Sequence, residues 1–204
     1  SSDAPLSGIR LVEALEKAGV PAGVVNCVTG RAGEVGPVIT NSSNIRAISF
    51  TGSTTAGTQI HRTVHLTTRS QMELGGKNPL LVMEDADLDL AVDLAVKGGF
   101  SLTGQACTGT SRILVVPSVK QAFTDKLLAR VAALKIGNGM QPGVDLGPLA
   151  TEKQLQTVLK YIAIGKSEAR LLCGSGRLTG AEFDKGYYAS PAACTAATNS
   201  MRIA

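Results

Sequence analysis

Two side chains in this sequence have the types and the setting for covalent chemistry. Cys107 lies in Gly104-Gln105-Ala106-Cys107-Thr108. Glu73 lies 34 positions upstream (107 − 73 = 34), in Glu73-Leu74-Gly75-Gly76-Lys77. Cysteine is partly thiolate near neutrality and strongly nucleophilic. A carboxylate acting with it can activate water. The pair reads as covalent catalysis followed by base-assisted hydrolysis. Each residue alone has a plainer reading. Cys107 could be a buried structural thiol, the common fate of free cysteine, and Glu73 a surface charge at a strand end. Around Cys107 the flanks Gly104, Thr108, Gly109 and Thr110 are small and polar rather than apolar, which favours the nucleophile. After Glu73, Gly75 and Gly76 argue for close approach of the backbone to something bulky.

A third segment, Phe50-Thr51-Gly52-Ser53-Thr54, precedes both. It places a small, polar turn between a strand and a helix. Free N–H groups and partial positive charge at a helix N-terminus attract phosphate. An ordinary helix capped by Ser53 or Thr54 would carry the same residues. Gly30, Gly33 and Gly36 do not make a GxGxxG pattern. His61 and His65 stand four apart, but Arg62 occupies the position where a zinc-protease motif needs Glu, so no metal site is expected. Cys27 falls in an apolar run and is expected in the core. Cys173 and Cys194 have no neighbours that suggest chemistry. Lys77 reads as a structural or active-site-rim residue.

These residues need elements to hold them, and the pattern alternates helix and strand, which argues for an α/β fold. Ile9, Val12 and Leu15 recur on one face of a helix from Leu6 to Lys17, with Gly19 as its C-cap candidate. Residues 23–28 read as a short buried strand, and 30–36 turn into a second helix. A strand over Ile45 to Phe50 and a helix from Thr54 to about His65 follow. Two strand–turn–helix passages in succession would form the core of a dinucleotide-binding sheet. The units then restart. Strands are expected at Pro79 to Val82, Ile113 to Val116 and Arg170 to Cys173. Helices are expected at Asp87 to Gly98, Val119 to Leu134 and Thr151 to Lys166, the last capped by Thr151. Gly137 to Gly147 is the longest irregular stretch, and Gly174 to Gly186 a Gly-rich loop.

With 204 residues, 44% hydrophobic and 18% charged, the chain can build one large or two small domains. Aromatics are 3% with no Trp, so the cores must rest on Val, Leu, Ile and Ala. The net charge of +4 is mild and scattered, which leaves nucleic-acid binding without support. No apolar run reaches ~18 residues, so no membrane span is expected. No signal peptide is visible, and the missing initiator Met points to an N-terminus lying upstream. Four well-separated cysteines in a chain of this size read as a reduced, cytoplasmic protein.

The three segments, in this order, resemble the aldehyde dehydrogenase superfamily over essentially the whole chain. The resemblance implies parts of two α/β domains: residues 1–74 as the C-terminal part of a Rossmann-like NAD(P)-binding domain, and 75–204 as the N-terminal part of a catalytic domain. It implies that Phe50, Thr51, Gly52, Ser53 and Thr54, with Gly57 in the helix that follows, bind the pyrophosphate of NADP or NAD. Gly30 and Gly33 would fit the family's cofactor turn, and Leu74 and Gly75 would lie beside the nicotinamide. Cys107 would be the nucleophile that carries a thioester, and Glu73 the general base. Branches that pass the acyl group to coenzyme A generally lack that base, so hydrolysis is expected. Ser2 stands where NAD-specific relatives often place a carboxylate, so NADP should be accepted at least as well as NAD. Ala106 departs from the larger residue often found before the family's cysteine, which widens the site or weakens support for the thiolate.

The runs Gly75-Gly76-Lys77-Asn78-Pro79-Leu80 and Gly186-Tyr187-Tyr188-Ala189-Ser190-Pro191 look like the branch of 2-oxoglutarate semialdehyde (2,5-dioxopentanoate) dehydrogenases. Succinate-semialdehyde and broad-range aldehyde dehydrogenases are close competitors. A small-molecule aldehyde is the expected partner, and a homodimer or homotetramer the expected assembly. The family's chain is more than twice this long. Its cofactor-binding Lys, its oxyanion-hole Asn and its Glu-x-x-Phe-Gly-Pro segment are expected outside this sequence. A non-catalytic or inactive fragment is the alternative from another functional class.

Overall fold

The computed structural model describes residues 3–204, and the chain divides after Gly75 into two units. In the first, helix α1 (Pro5–Lys17) starts on a proline whose fixed φ suits the first helical turn. Of the face expected from spacing, Val12 and Leu15 are half-buried, whereas Ile9 is exposed. The helix caps on Ala18, and Gly19 lies one residue further, at φ 93°. Its N–H donates to Glu16 O at 3.0 Å, and that of Val20 to Leu15 O at 3.1 Å. This is the paired closure that a left-handed glycine allows.

Residues 21–30 contain no strand, contrary to the expectation for 23–28. Val24 and Val28 are 67% and 73% exposed, and Cys27, expected in the core, is exposed as well. The run has the composition of a strand, but a strand exists only where a neighbour takes up its backbone hydrogen bonds. Here the main chain turns on itself, with Val24 N–H donating to Pro21 O at 3.2 Å. Helix α2 (Ala32–Thr40) follows the glycine-rich turn. Strand β1 (Ala47–Gly52), helix α3 (Thr54–Thr63) and strand β2 (Arg69–Leu74) then form one βαβ passage. The strands are parallel, with Phe50 opposite Met72, Thr51 opposite Glu73 and Gly52 opposite Leu74. Of the two strand–turn–helix passages expected, the second forms as β1 and α3, and the first has its helix, α2, without the strand.

The second unit begins with another parallel βαβ passage: β3 (Asn78–Val82), α4 (Leu88–Phe100) and β4 (Thr110–Val115). Asp87 caps α4, its side chain accepting from Asp89 N–H and Leu90 N–H at 3.0 and 3.1 Å. Helix α5 (Lys120–Ala132) lies against α4. Their shared core is Val82, Val92, Ala95, Val96, Phe123, Leu127 and Val131. Aliphatic residues dominate it, as an aromatic-poor composition requires, and each such side chain contributes roughly 1.5–3 kcal/mol on burial. Helix α6 (Glu152–Glu168) is capped by Thr151, which accepts from Gln154 N–H at 3.2 Å. Strands β5 (Arg170–Cys173) and β6 (Ala193–Thr195) pair antiparallel. The irregular residues 137–147 are pinned by Gly137 N–H donating to Leu146 O at 3.0 Å. Beside them Lys135 N–H donates to the Asp145 carboxylate at 2.9 Å. No described helix is long and apolar enough to cross a membrane.

Candidate active site

In the first unit, Phe50 to Thr54 run from the end of β1 into α3, at the carboxyl end of a parallel sheet, where open α/β sheets bind ligands. Ser53, not Thr54, is the N-cap, and its hydroxyl accepts from Ala56 N–H at 3.2 Å. The first-turn N–H groups of Thr54 and Thr55 lack intrahelical acceptors by position. Thr51, Gly52, Ser53, Thr54 and Thr55 are all exposed, so this helix end is open to an anion. The Phe50 ring folds back over Gly52, where a Cβ would meet its Cζ at 2.5 Å. Gly57 is buried in α3 against Leu74. Further upstream, Gly30 packs against Val35, while Gly33 and Gly75 face open space.

Side chains along β2 alternate in burial. Ser70, Met72 and Leu74 are half-buried, whereas Arg69, Gln71 and Glu73 are exposed. The alternation follows the two-residue period of a strand. Glu73, the last residue but one of β2, therefore lies on the opposite face from Leu74. Its carboxylate accepts from Gln71 Nε2 at 3.4 Å, a long bond that leaves it oxygens for another partner. The two histidines are held by hydroxyls: His61 Nδ1 lies 2.9 Å from Ser70 Oγ, and His65 Nδ1 2.9 Å from Thr67 Oγ1.

In the second unit, Cys107 is exposed on a tight turn between α4 and β4. Gly109 N–H donates to Ala106 O at 3.0 Å and closes the turn around Cys107 and Thr108. The approach to it is unusual. Leu102, Thr103 and Gly104 all have positive φ, at 52°, 58° and 71°. Non-glycine residues held there cost of order 1–3 kcal/mol each and persist only where the surroundings over-determine them. Here Thr103 Oγ1 donates to Gly147 O at 3.3 Å, and Gln105 Oε1 accepts from Ala150 N–H at 3.1 Å. The Gln105 amide also donates to Leu102 O at 3.2 Å. On the other side, Asn78 Nδ2 donates to Cys107 O at 2.8 Å and to Gly109 O at 3.1 Å. Asn78, Thr103 and Gln105 carry no chemistry of their own; Asn78 and Gln105 fall in motif-bearing segments, but nothing local in the sequence announces these contacts, beyond the proline that biases Asn78 to extended backbone.

A cleft of about 990 Å3 in this unit is lined by Lys77, Gly104, Ala106 and Gly109, and Cys107 is not among its lining residues. Lys77 donates to Ile203 O at 3.3 Å, which supports the structural reading of that residue. Burial pushes the Cys173 and Cys194 thiols above the ordinary value of 9.0. A backbone hydrogen bond at Ala193 partly offsets this for Cys173, and the neighbouring Cys173 adds to it for Cys194. Ser2, the expected reader of the adenosine ribose, lies outside the described residues.

Comparison with known proteins adds three findings. The model of the aldehyde dehydrogenase family matches residues 1–204. The 2,5-dioxopentanoate dehydrogenase of Saccharolobus solfataricus is 46% identical over 203 residues, 98% of this chain and 41% of that protein. Among solved structures, betaine aldehyde dehydrogenase of Staphylococcus aureus in complex with NAD+ superposes with a TM-score of 0.95 at 36% identity, over 100% of this chain and 41% of the other. A 3,6-anhydro-L-galactose dehydrogenase in complex with NADP gives 0.92 at 37% identity, over 98% and 42%. The chain thus spans about two fifths of the length of the relatives it matches.

Proposed function

Since the chain belongs to the aldehyde dehydrogenase family, we propose that the whole protein oxidises an aldehyde to a carboxylate with NAD(P), through a thioester on Cys107. The observation that carries the reading is the setting of Cys107: an exposed thiol on a turn whose backbone is tied from both sides. The unit ending at Gly75 serves as part of the cofactor domain, and the unit from Gly76 as part of the catalytic domain. The open end of α3, with Ser53 as its cap, would hold the pyrophosphate by its free N–H groups. Gly30 and Gly33 would line the same cofactor. Leu74 and Gly75 would bound the nicotinamide, which supplies a hydride acceptor when bound.

The Cys107 thiolate attacks the aldehyde carbon, and the carbonyl π pair moves to oxygen. The Cys107 N–H donates to that oxyanion, where charge develops. Loss of hydride from the carbon re-forms the carbonyl and leaves a thioester. Glu73 then takes a proton from water as its oxygen attacks the thioester carbon. The C–S bond breaks, releasing carboxylate and restoring the thiolate. Glu73 supports release to water rather than to coenzyme A.

The 46% identity to a 2,5-dioxopentanoate dehydrogenase supports a semialdehyde substrate of that kind, 2-oxoglutarate semialdehyde in particular. In the whole protein, Cys107→Ala should abolish aldehyde oxidation and leave cofactor binding intact. Turnover retained near the wild-type rate would overturn the assignment.

A further inference from the structure

We infer that Asn78 is a positioning residue for Cys107, fixing the direction in which the thiol leaves the main chain. The inference rests on the reading of Cys107 as nucleophile. Asn78 is the first residue of β3 and faces Thr110, the first residue of β4. Pro79 follows it, and the residue before a proline is biased to extended backbone. From there its side chain reaches two carbonyls 29 and 31 residues away, Cys107 O at 2.8 Å and Gly109 O at 3.1 Å. A side-chain amide has two N–H donors, and both are used.

The consequence follows from the geometry of the peptide bond. Each peptide is planar, and its C=O and N–H point in opposite directions. Holding a carbonyl oxygen therefore holds a whole plane. Asn78 holds the plane that follows the Cys107 Cα. The plane that precedes it is held at Ala106 O by Gly109 N–H at 3.0 Å. With both flanking planes held, φ and ψ of Cys107 are set, and with them the Cα–Cβ direction. The thiol keeps only its choice of χ1 rotamer. In the preceding plane the Cys107 N–H points opposite to Ala106 O, away from the bond with Gly109, and its direction is set together with that of the carbonyl. Asn78 is the only side chain that hydrogen-bonds a carbonyl of the 106–109 turn among the described residues. The strained residues Leu102 and Thr103 feed into the turn from the other side, held by the tethers to Gly147 and Ala150, so without Asn78 the turn is held against them at Ala106 O alone.

The test uses the whole protein with NAD(P), an aldehyde substrate and pre-steady-state detection of reduced cofactor. Asn78→Ala removes both donors, Asn78→Ser supplies a single hydroxyl donor on a shorter side chain, and Asn78→Asp brings a carboxylate against two carbonyl oxygens. Measured well below every unfolding midpoint, the burst rate should fall in the order Asn, Ser, Ala, Asp. For Asn78→Ala the loss should be roughly 10–100-fold, the scale of a misplaced reacting group. Burst amplitude and cofactor Kd should stay at the wild-type level. A merely structural role predicts the reverse, a lower amplitude at an unchanged rate, and that result overturns the inference. So does a wild-type rate in Asn78→Ser together with Asn78→Ala, or in Asn78→Ser and Asn78→Asp where the alanine variant does not fold. Cys107→Ala, run in parallel, separates the two readings. If it turns over, the nucleophile assignment fails. If it is dead while the Asn78 variants keep the wild-type burst rate, only the positioning role fails.

Discussion

A Cβ on Gly57 would stand 2.5 Å from Cδ2 of Leu74. The missing side chain in the second turn of α3 is what lets the end of β2 lie against that helix. Leu74 also pairs with Gly52 across the parallel register, so one glycine in the helix and one in the neighbouring strand set its surroundings.

Gly57→Ala brings two opposed effects. Alanine in a helix interior gains about 0.5–1 kcal/mol over glycine. The new methyl displaces the end of a flexible leucine, which moves more cheaply than backbone. Stability should therefore stay within about 1 kcal/mol of wild type by denaturant unfolding. The cofactor KM should rise several-fold, because Leu74 is the side chain proposed to bound the nicotinamide. An unchanged KM with full stability would separate Leu74 from the cofactor.

Glu73→Gln keeps the shape of the side chain and removes its basicity. Glu73 is exposed and its one bond, to Gln71, is long, so folding should be little affected. The whole protein carrying the substitution should give a full burst of reduced cofactor and then stall with the acyl group on Cys107, visible by mass spectrometry of the intact protein. Loss of the burst together with the steady state would place Glu73 in the first half-reaction.

Cys173 and Cys194 should titrate late. Their folded thiols lose protons above 9.0, whereas unfolded thiols lose them near it, so the unfolded chain gains charge first. The stability this contributes is complete below pH 9 and declines as pH rises through the folded values. Because the thiolate is the reactive form, alkylation followed at these two cysteines should have a higher pH midpoint in the native protein than in urea. Coincident midpoints would contradict the burial reading.

Helix positions were legible because their signals are local. Asp87 and Thr151 each cap the helix that follows, and a cap needs only partners two or three residues away. The strand expected over 23–28 failed for the opposite reason. Its valines carry strand propensity, but the pairing that turns propensity into a strand belongs to the tertiary structure. Likewise, nothing in Leu102 or Thr103 announces a positive φ, since both residue types disfavour it and only the tethers from Gly147 and Ala150 impose it. Cys107 and Glu73 stood out by type and flanks. Asn78 did not, because its function is a pair of hydrogen bonds to backbone some thirty residues on.

The passage from α4 into β4 is packed backbone to backbone. A Cβ at Gly99 would stand 3.2 Å from Thr110 O, and one at Gly109 3.2 Å from Gly98 O. A Cβ on Gly98 would collide with the Thr110 hydroxyl. None of these residues handles substrate in the proposed reaction, yet none has room for a larger substituent. A saturation library over 95–112 would therefore return a band of inactive variants far wider than the chemistry requires. Its silent positions would trace a seam where helix and strand meet, with Cys107, the proposed nucleophile, as a single point upon it. Loss of activity in that band would report fit, and only the sulfur position would report reaction.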